Sequence, residues 1–126
     1  MWQKNPDRKI ALIIEDEPAI GRACQRVLTA EGFEVDVAGD GVIAKEFISK
    51  KSYDLCLSDI RLPKMNGMEL YRHIEQEYPG LAQKVIFTTG DLLSKDTGEF
   101  LKESERPFLL KPFTPEQLRS VIKELN

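Results

Sequence analysis

The sequence has only two cysteines and a single histidine, and both scarcities limit its chemistry. Cys24 and Cys56 lie within apolar patterns and not in the close pairs that zinc or redox sites use. We therefore expect buried free thiols in a reducing compartment. His73 has no soft ligand at metal-site spacing, so we expect it at the surface.

Long apolar runs and basic blocks are also absent. No stretch approaches the roughly 20 apolar residues of a membrane-spanning helix, and residues 1–9 are too polar for a signal peptide. The net charge is −3 and positive residues do not cluster. We therefore expect a cytoplasmic domain with no membrane insertion and no direct nucleic-acid partner.

The sequence does contain a regular alternation of short apolar runs and amphipathic segments. Its 126 residues suffice for one domain, so we predict a polar, disordered leader at 1–8 and a folded domain at 9–126. The alternation predicts a parallel sheet with helices on both faces. The predicted strands are 9–14, 33–37, 53–59, 85–89 and 107–110, and the predicted helices are 18–31, 42–51, 68–78, 91–104 and 114–125.

The third apolar run, residues 53–59, organises the rest of the chain. It is typical of a central strand buried on both faces, and it ends at Asp59 before turn residues. In open α/β sheets the ligand crevice lies outside the carboxyl ends of the strands. Asp59 is therefore a candidate for chemistry, although an aspartate at this point could also simply begin a turn.

Other predicted strands end in matching groups: Glu15 and Asp16, Thr89 and Lys111. Each has a local alternative, as a helix-terminal acid, a turn cap or a solvated lysine. At successive ends of parallel strands, however, these groups converge on one crevice. Three neighbouring carboxylates repel unless a cation neutralises them, and oxygen ligands favour Mg²⁺ over zinc.

Several residue groups resemble the receiver domain of bacterial response regulators, over residues 9–125. The shared features are an acid pair after the first strand, an acid followed by proline and glycine, a strand-end threonine, and an aromatic residue before a Lys-Pro pair. In this sequence they are Glu15-Asp16, Asp59 with Pro63 and Gly67, Thr89-Gly90, and Phe108 ahead of Lys111-Pro112-Phe113.

The resemblance implies a flavodoxin-like, doubly wound (βα)5 fold with sheet order 2-1-3-4-5. It also implies a phosphoacceptor domain of a two-component phosphorelay, in which Asp59 takes a phosphoryl group from a histidine kinase or histidine phosphotransfer domain. Such a domain is not a conventional enzyme but catalyses its own phosphorylation and slow dephosphorylation.

By the same resemblance, the reaction depends on Mg²⁺, for which Mn²⁺ could substitute. Thr89 and Lys111 would contact the phosphoryl oxygens, and the family's Lys-Pro peptide is usually cis. The residues that would hold the metal are Asp16, Asp59, the backbone carbonyl of Arg61 and, through water, Glu15.

The resemblance also assigns a switch and a control on phosphoryl lifetime. Thr89 and Phe108 would report phosphorylation to the face formed by the fourth predicted helix, the fifth strand and the last helix, which could also support a weak homodimer. Arg61 and Asp91 each lie two residues beyond a site residue, at positions that resemble gates for attacking water. We predict that they pair and slow self-dephosphorylation, the alternative being two independent, solvated side chains.

Some residues depart from the family pattern. Glu15 stands where many relatives have a second aspartate, Gly90 replaces a frequent alanine, and Phe108 lacks the hydroxyl of a tyrosine. The sequence ends at the last predicted helix and looks most like a receiver at the carboxyl end of a hybrid sensor histidine kinase. A free-standing regulator would have the same appearance.

Two alternative functions use the same fold class. A flavin-binding electron carrier would need a phosphate loop after the first strand, where Glu15, Asp16 and Glu17 would repel phosphate. A Mg²⁺-dependent phosphohydrolase with Asp59 as nucleophile would normally have a general acid two residues later, where this sequence has Arg61.

Overall fold

The protein is described by a computed structural model that covers residues 8–92 and 94–125. The predicted leader at 1–8 lies outside these residues except for Arg8. Within the described part, a five-stranded sheet is covered by helices on both faces. No helix of that part has the length and apolar character needed to span a membrane.

The sheet is parallel throughout, and its strand bounds match the predicted runs closely. The strands are β1 (Lys9–Ile14), β2 (Phe33–Ala38), β3 (Leu55–Asp59), β4 (Val85–Thr89) and β5 (Phe108–Leu110). Their order is β2-β1-β3-β4-β5, which confirms the predicted topology. The central strands β1, β3 and β4 are buried almost throughout, as an all-parallel sheet requires.

The helices follow the prediction with two differences. They are α1 (Pro18–Ala30), α2 (Gly41–Lys50), α3 (Gly67–Glu77), α4 (Pro79–Ala82), α5 (Lys95–Ser104) and α6 (Pro115–Glu124). The short α4 was not predicted; Pro79 ends α3 but suits the first position of a new helix. Helix α5 begins four residues later than predicted, because the Asp91 carboxylate accepts the Ser94 N–H at 3.1 Å and holds a turn there.

Capping residues define the starts of three helices at the functional edge of the sheet. Asp40 accepts the N–H of Ile43 at 2.8 Å to begin α2, and Asn66 accepts the N–H of Glu69 at 2.9 Å to begin α3. Thr114 caps α6 in a reciprocal capping box, as the sequence predicted.

Side chains alternate across the sheet and form one apolar core on each face. Helices α1 and α6 cover one face, and α2, α3, α4 and α5 cover the other. Cys24 and Cys56 are buried free thiols, as predicted. Burial raises the pKa of Cys24 to about 11 and that of Cys56 to about 12, so both thiols are protonated near neutral pH.

Gly67 is required by a close approach of backbone segments at the end of β3. Its N–H donates to the carbonyl of Ile60 at 2.8 Å. A Cβ atom there would collide with the carbonyl oxygen of Asp59 and lie 2.9 Å from the Cα of Ile60. We predict that Gly67→Ala lowers the free energy of unfolding by about 1–3 kcal/mol, measured by urea unfolding.

Gly80→Ala is the matched control, because an added Cβ at Gly80 meets no atom within 4 Å. It should leave the free energy of unfolding unchanged or raise it by up to about 1 kcal/mol, since alanine favours the helical conformation. Equal free energies of unfolding for the two variants would show that the backbone contact at Gly67 tolerates a Cβ atom.

Candidate functional site

Three acidic residues from two strand ends meet at the carboxyl edge of the sheet. Glu15 and Asp16 follow β1, and Asp59 is the last residue of β3. Carboxylate oxygens of all three lie within 4.8 Å of one another. Glu15 and Asp59 are buried, whereas Asp16 is exposed. The structure therefore brings together the acids that the sequence placed at the ends of the two strands.

Lys111 joins the two buried acids. Its Nζ lies 2.8 Å from Glu15 Oε1 and 2.7 Å from Asp59 Oδ2, and its side chain is only 17% exposed. The residue directly follows β5, where its backbone N–H donates to the carbonyl of Thr89 at 2.8 Å. The peptide bond between Lys111 and Pro112 is cis. One ammonium group thus neutralises two carboxylates at the sheet edge.

The pKa shifts follow from this shared burial. Burial raises the pKa of Glu15, and the hydrogen bond from Lys111 offsets that effect only in part. Burial lowers the pKa of Lys111, but its hydrogen bonds to Asp59 and Glu15 outweigh burial and leave that pKa raised. Lys111 is therefore charged throughout the neutral range, where the acids need it.

Backbone groups orient the same carboxylates. The second oxygen of Asp59, Oδ1, accepts the N–H of Arg61 at 3.1 Å, so both of its oxygens are engaged. Oε2 of Glu15 accepts the N–H of Glu17 at 3.1 Å. Asp59 is thus held rigidly, and its carboxylate faces Lys111.

Thr89 and Phe108, the predicted switch residues, lie at the end of β4 and at the start of β5. Thr89 is buried at the end of β4, and its Oγ1 accepts the N–H of Asp91 at 3.1 Å. The β4–β5 register places Thr89 level with Leu110, immediately before Lys111. Phe108 is the first residue of β5 and is 41% exposed.

Arg61 and Asp91 form an ion pair at the mouth of the site. The Arg61 guanidinium donates to Asp91 Oδ2 at 2.8 Å, and the side chains are 70% and 38% exposed. The structure therefore contains the pairing predicted from the sequence.

Two features near the site were not predicted from the sequence. An apolar groove of about 510 Å3 lies between α1 and the start of α6, beside Lys111. The sequence showed the apolar faces of both helices but not the space between them. The second feature is a contact of residues 40–41 with residues 63–65, which the sequence indicated only as two turns. Asp40 directly before α2 was a signal for the helix cap but not for the contact with the second loop.

Comparison with known proteins covers nearly the whole chain. The family model described as the response regulator receiver domain matches residues 11–123. The chain is 34% identical over 112 residues to the transcriptional regulatory protein DltR of Streptococcus agalactiae, which covers 89% of this chain and 49% of DltR. It is 33% identical over 114 residues to the probable transcriptional regulator ycf29 of Porphyra purpurea, covering 90% of this chain and 54% of ycf29. The chain thus spans about half the length of these curated relatives.

Solved structures show the same architecture. A CheY-like response regulator receiver domain protein from Methanospirillum hungatei superposes with a TM-score of 0.85 at 32% identity, covering 94% of this chain and 93% of that one. The receiver domain of sensor histidine kinase PA1611 from Pseudomonas aeruginosa, which was solved with a magnesium ion in its active site cleft, superposes with a TM-score of 0.82 at 26% identity. That match covers 94% of this chain and 97% of the other.

The bridge made by Lys111 generates a stability prediction. Lys111→Met keeps the length of the side chain but leaves Glu15 and Asp59 buried without their cation. We predict a loss of about 2–3 kcal/mol in the free energy of unfolding near neutral pH without divalent metal, measured by urea unfolding.

The loss should depend on pH in a defined direction. Ionised carboxylates cause the penalty, and burial raises the pKa of Glu15, so the loss of stability should be smaller at acidic pH, where Glu15 becomes protonated, than at neutral pH. A loss of the same size at both pH values would instead mean that Lys111 acts through packing alone.

Proposed function

The chain belongs to the response regulator receiver domain family, and on that basis we propose that it is a phosphoacceptor domain in which Asp59 receives a phosphoryl group. The donor would be a phosphohistidine of a histidine kinase or a histidine phosphotransfer protein. The observation that carries this proposal is the Asp59 carboxylate, held at 2.7 Å from Lys111 and beside two further acids at the crevice. The family match also favours signalling over the flavin-carrier and phosphohydrolase alternatives.

The chemistry suits these residue types. An oxygen of the ionised Asp59 attacks phosphorus in line, the bond from phosphorus to the donor imidazole breaks, and the imidazole nitrogen keeps the electron pair. No general base is needed because the nucleophile is already a carboxylate. Lys111, with Thr89 at the next strand end, would stabilise the phosphoryl oxygens, and the domain would in this sense catalyse its own phosphorylation.

The donor set fits a hard divalent cation. Three carboxylates with oxygens within 4.8 Å offer oxygen ligands alone, as Mg²⁺ or Mn²⁺ prefers. Asp16, Asp59 and the backbone carbonyl of Arg61 would hold the ion directly, and Glu15 would reach it through water. When bound, the ion supplies positive charge that offsets the negative charge of the phosphoryl group.

The apolar groove beside Lys111 is the proposed docking site for the donor. Ile20 and Ala23 of α1 face Phe113 and Leu118 across it. A donor protein must bring its phosphohistidine to Asp59, so apolar side chains next to that histidine would reach a groove continuous with the site. This placement supports a protein donor.

The proposed switch acts on the face formed by α5, β5 and α6. The Thr89 hydroxyl accepts a hydrogen bond from the backbone N–H of Asp91. If the hydroxyl rotated toward a phosphoryl oxygen, this hydrogen bond would break and the loop before α5 would be released. Helix α5 buries only Thr97, Phe100 and Leu101, and its N-cap residue makes no side-chain hydrogen bond, so fewer buried side chains anchor it than anchor α1 or α3. Phe108 would follow, and the same face would form the weak homodimer.

The wider setting of the domain rests on its relatives. Those at more than 30% identity include transcriptional regulators about twice as long, so they do not support the expectation that nucleic acid is never a partner. The origin in a hybrid histidine kinase and the cytoplasmic location stay predictions.

The first functional test is loss of the acceptor. Asp59→Asn should fold but gain no phosphoryl mass after incubation with acetyl phosphate and Mg²⁺, because an amide cannot attack phosphorus. Intact-mass spectrometry measures this directly. Asp16→Asn is the control, since it removes a metal ligand but not the nucleophile and should still be phosphorylated at higher Mg²⁺. A mass gain in Asp59→Asn would move the acceptor to another residue.

The second test concerns phosphoryl lifetime. We propose that the Arg61–Asp91 ion pair restricts the approach of water to the acyl phosphate. Arg61→Ala and Asp91→Ala should each raise the dephosphorylation rate about two- to fivefold, the range for an exposed ion pair, and the double variant should add little more. Dephosphorylation is followed by intact mass after removal of the donor. Additive effects of the two substitutions would mean that the residues act separately.

A further inference from the structure

The loop between β3 and α3 contains a strained turn. Lys64 has a φ of 68°, in the left-handed region that residues other than glycine seldom adopt. The carbonyl of Pro63 accepts the N–H of Met65 at 2.8 Å and closes a three-residue turn around Lys64. Turns of this hand are rare, and such a conformation persists only where surrounding structure holds it.

An ion pair from the neighbouring loop holds the Lys64 side chain. Its Nζ lies 3.6 Å from Oδ2 of Asp40; the Lys64 side chain is 67% exposed, whereas that of Asp40 is only 9% exposed. The other oxygen of Asp40 caps α2 through the N–H of Ile43. This backbone hydrogen bond and the charge of Lys64 lower the pKa of Asp40, so the carboxylate is ionised near neutral pH. Asp40 thus ties the start of α2 to the turn at Lys64.

A close backbone contact reinforces the ion pair. The N–H of Gly41 points to the carbonyl of Pro63 at 3.5 Å. A Cβ on Gly41 would collide with the carbonyl oxygen of Met65 and lie 2.8 Å from its carbonyl carbon. Only glycine at this position lets the two loops meet this closely.

The held turn lies close to the phosphorylation site. Lys64 follows Arg61 by three residues, and the Arg61 N–H donates to Asp59. At the far end of the loop, the N–H of Gly67 returns to the carbonyl of Ile60. We propose that Asp40 and Lys64 are positioning residues, which hold this loop so that the Arg61 backbone keeps its place beside Asp59. The inference rests on the proposed function, in which that backbone contributes to the Mg²⁺ site.

The test is a double-mutant cycle with conservative changes. Asp40→Asn keeps the cap of α2 but removes the charge, and Lys64→Met keeps the apolar stem but removes the ammonium group. Two properties are measured by NMR: amide hydrogen exchange of Met65 and Gly67 without metal, and the Mg²⁺ dissociation constant from amide shifts. Each single variant should raise the two exchange rates and the Mg²⁺ dissociation constant by about two- to fivefold, and the double variant should add little more.

Glu46→Gln is the matched control. It breaks an exposed ion pair of 2.9 Å to Lys50 on α2, away from the loop, and should change neither property. Unchanged exchange and Mg²⁺ binding in both single variants would overturn the proposal. A uniform rise in exchange over the whole sheet would also overturn it, because the pair would then serve general stability.

The measurements separate this inference from the proposed function. Exchange without metal requires no phosphorylation. If the wild-type protein gains no phosphoryl mass, the proposed function fails, while exchange and Mg²⁺ binding still decide whether Asp40 and Lys64 hold the loop.

Discussion

The double ion pair that the Lys111 ammonium group makes with Glu15 and Asp59 is the interaction on which the site depends. Two buried carboxylates in one crevice are unfavourable without a cation, because both desolvation and mutual repulsion oppose their ionised forms. The parallel sheet makes the sharing possible, since the ends of β1, β3 and β5 all open at one edge. The same cluster of carboxylate oxygens is the site at which the proposed chemistry would place a divalent metal.

Around this centre the molecule divides into a firmly held side and a loosely held side. The loop after β3 is pinned by Gly67 at one end and by the contact with Asp40 and Gly41 at the other. The opposite wall, from Thr89 to α5, rests on a threonine hydroxyl and a helix with few buried residues. A firmly held acceptor beside a less anchored wall is the arrangement that the proposed phosphorylation switch would use, because the added group could change one wall without displacing its own attachment point.

Most of the fold could be predicted because its signals are local. Short apolar runs located the five strands of the described residues, and Pro18 and Thr114-Pro115 located two helix starts. The predicted helix bounds were wrong where two local signals compete. Asp91 favoured a side-chain turn over an earlier start of α5, and Pro79 both ended one helix and began another. The polar residues at the strand ends were also recognisable, because strand ends are local features and parallel topology brings them to one edge.

The sequence by itself determined the order of the elements, the two-sided burial of the sheet and the set of polar residues at its functional edge. Tertiary structure alone decided which of those residues touch. Lys111 meets an acid 52 positions away, and Lys64 reaches Asp40 in another loop. Such contacts depend on strand register, sheet twist and loop packing to within an ångström, whereas local sequence patterns specify only which face or end of an element a side chain occupies.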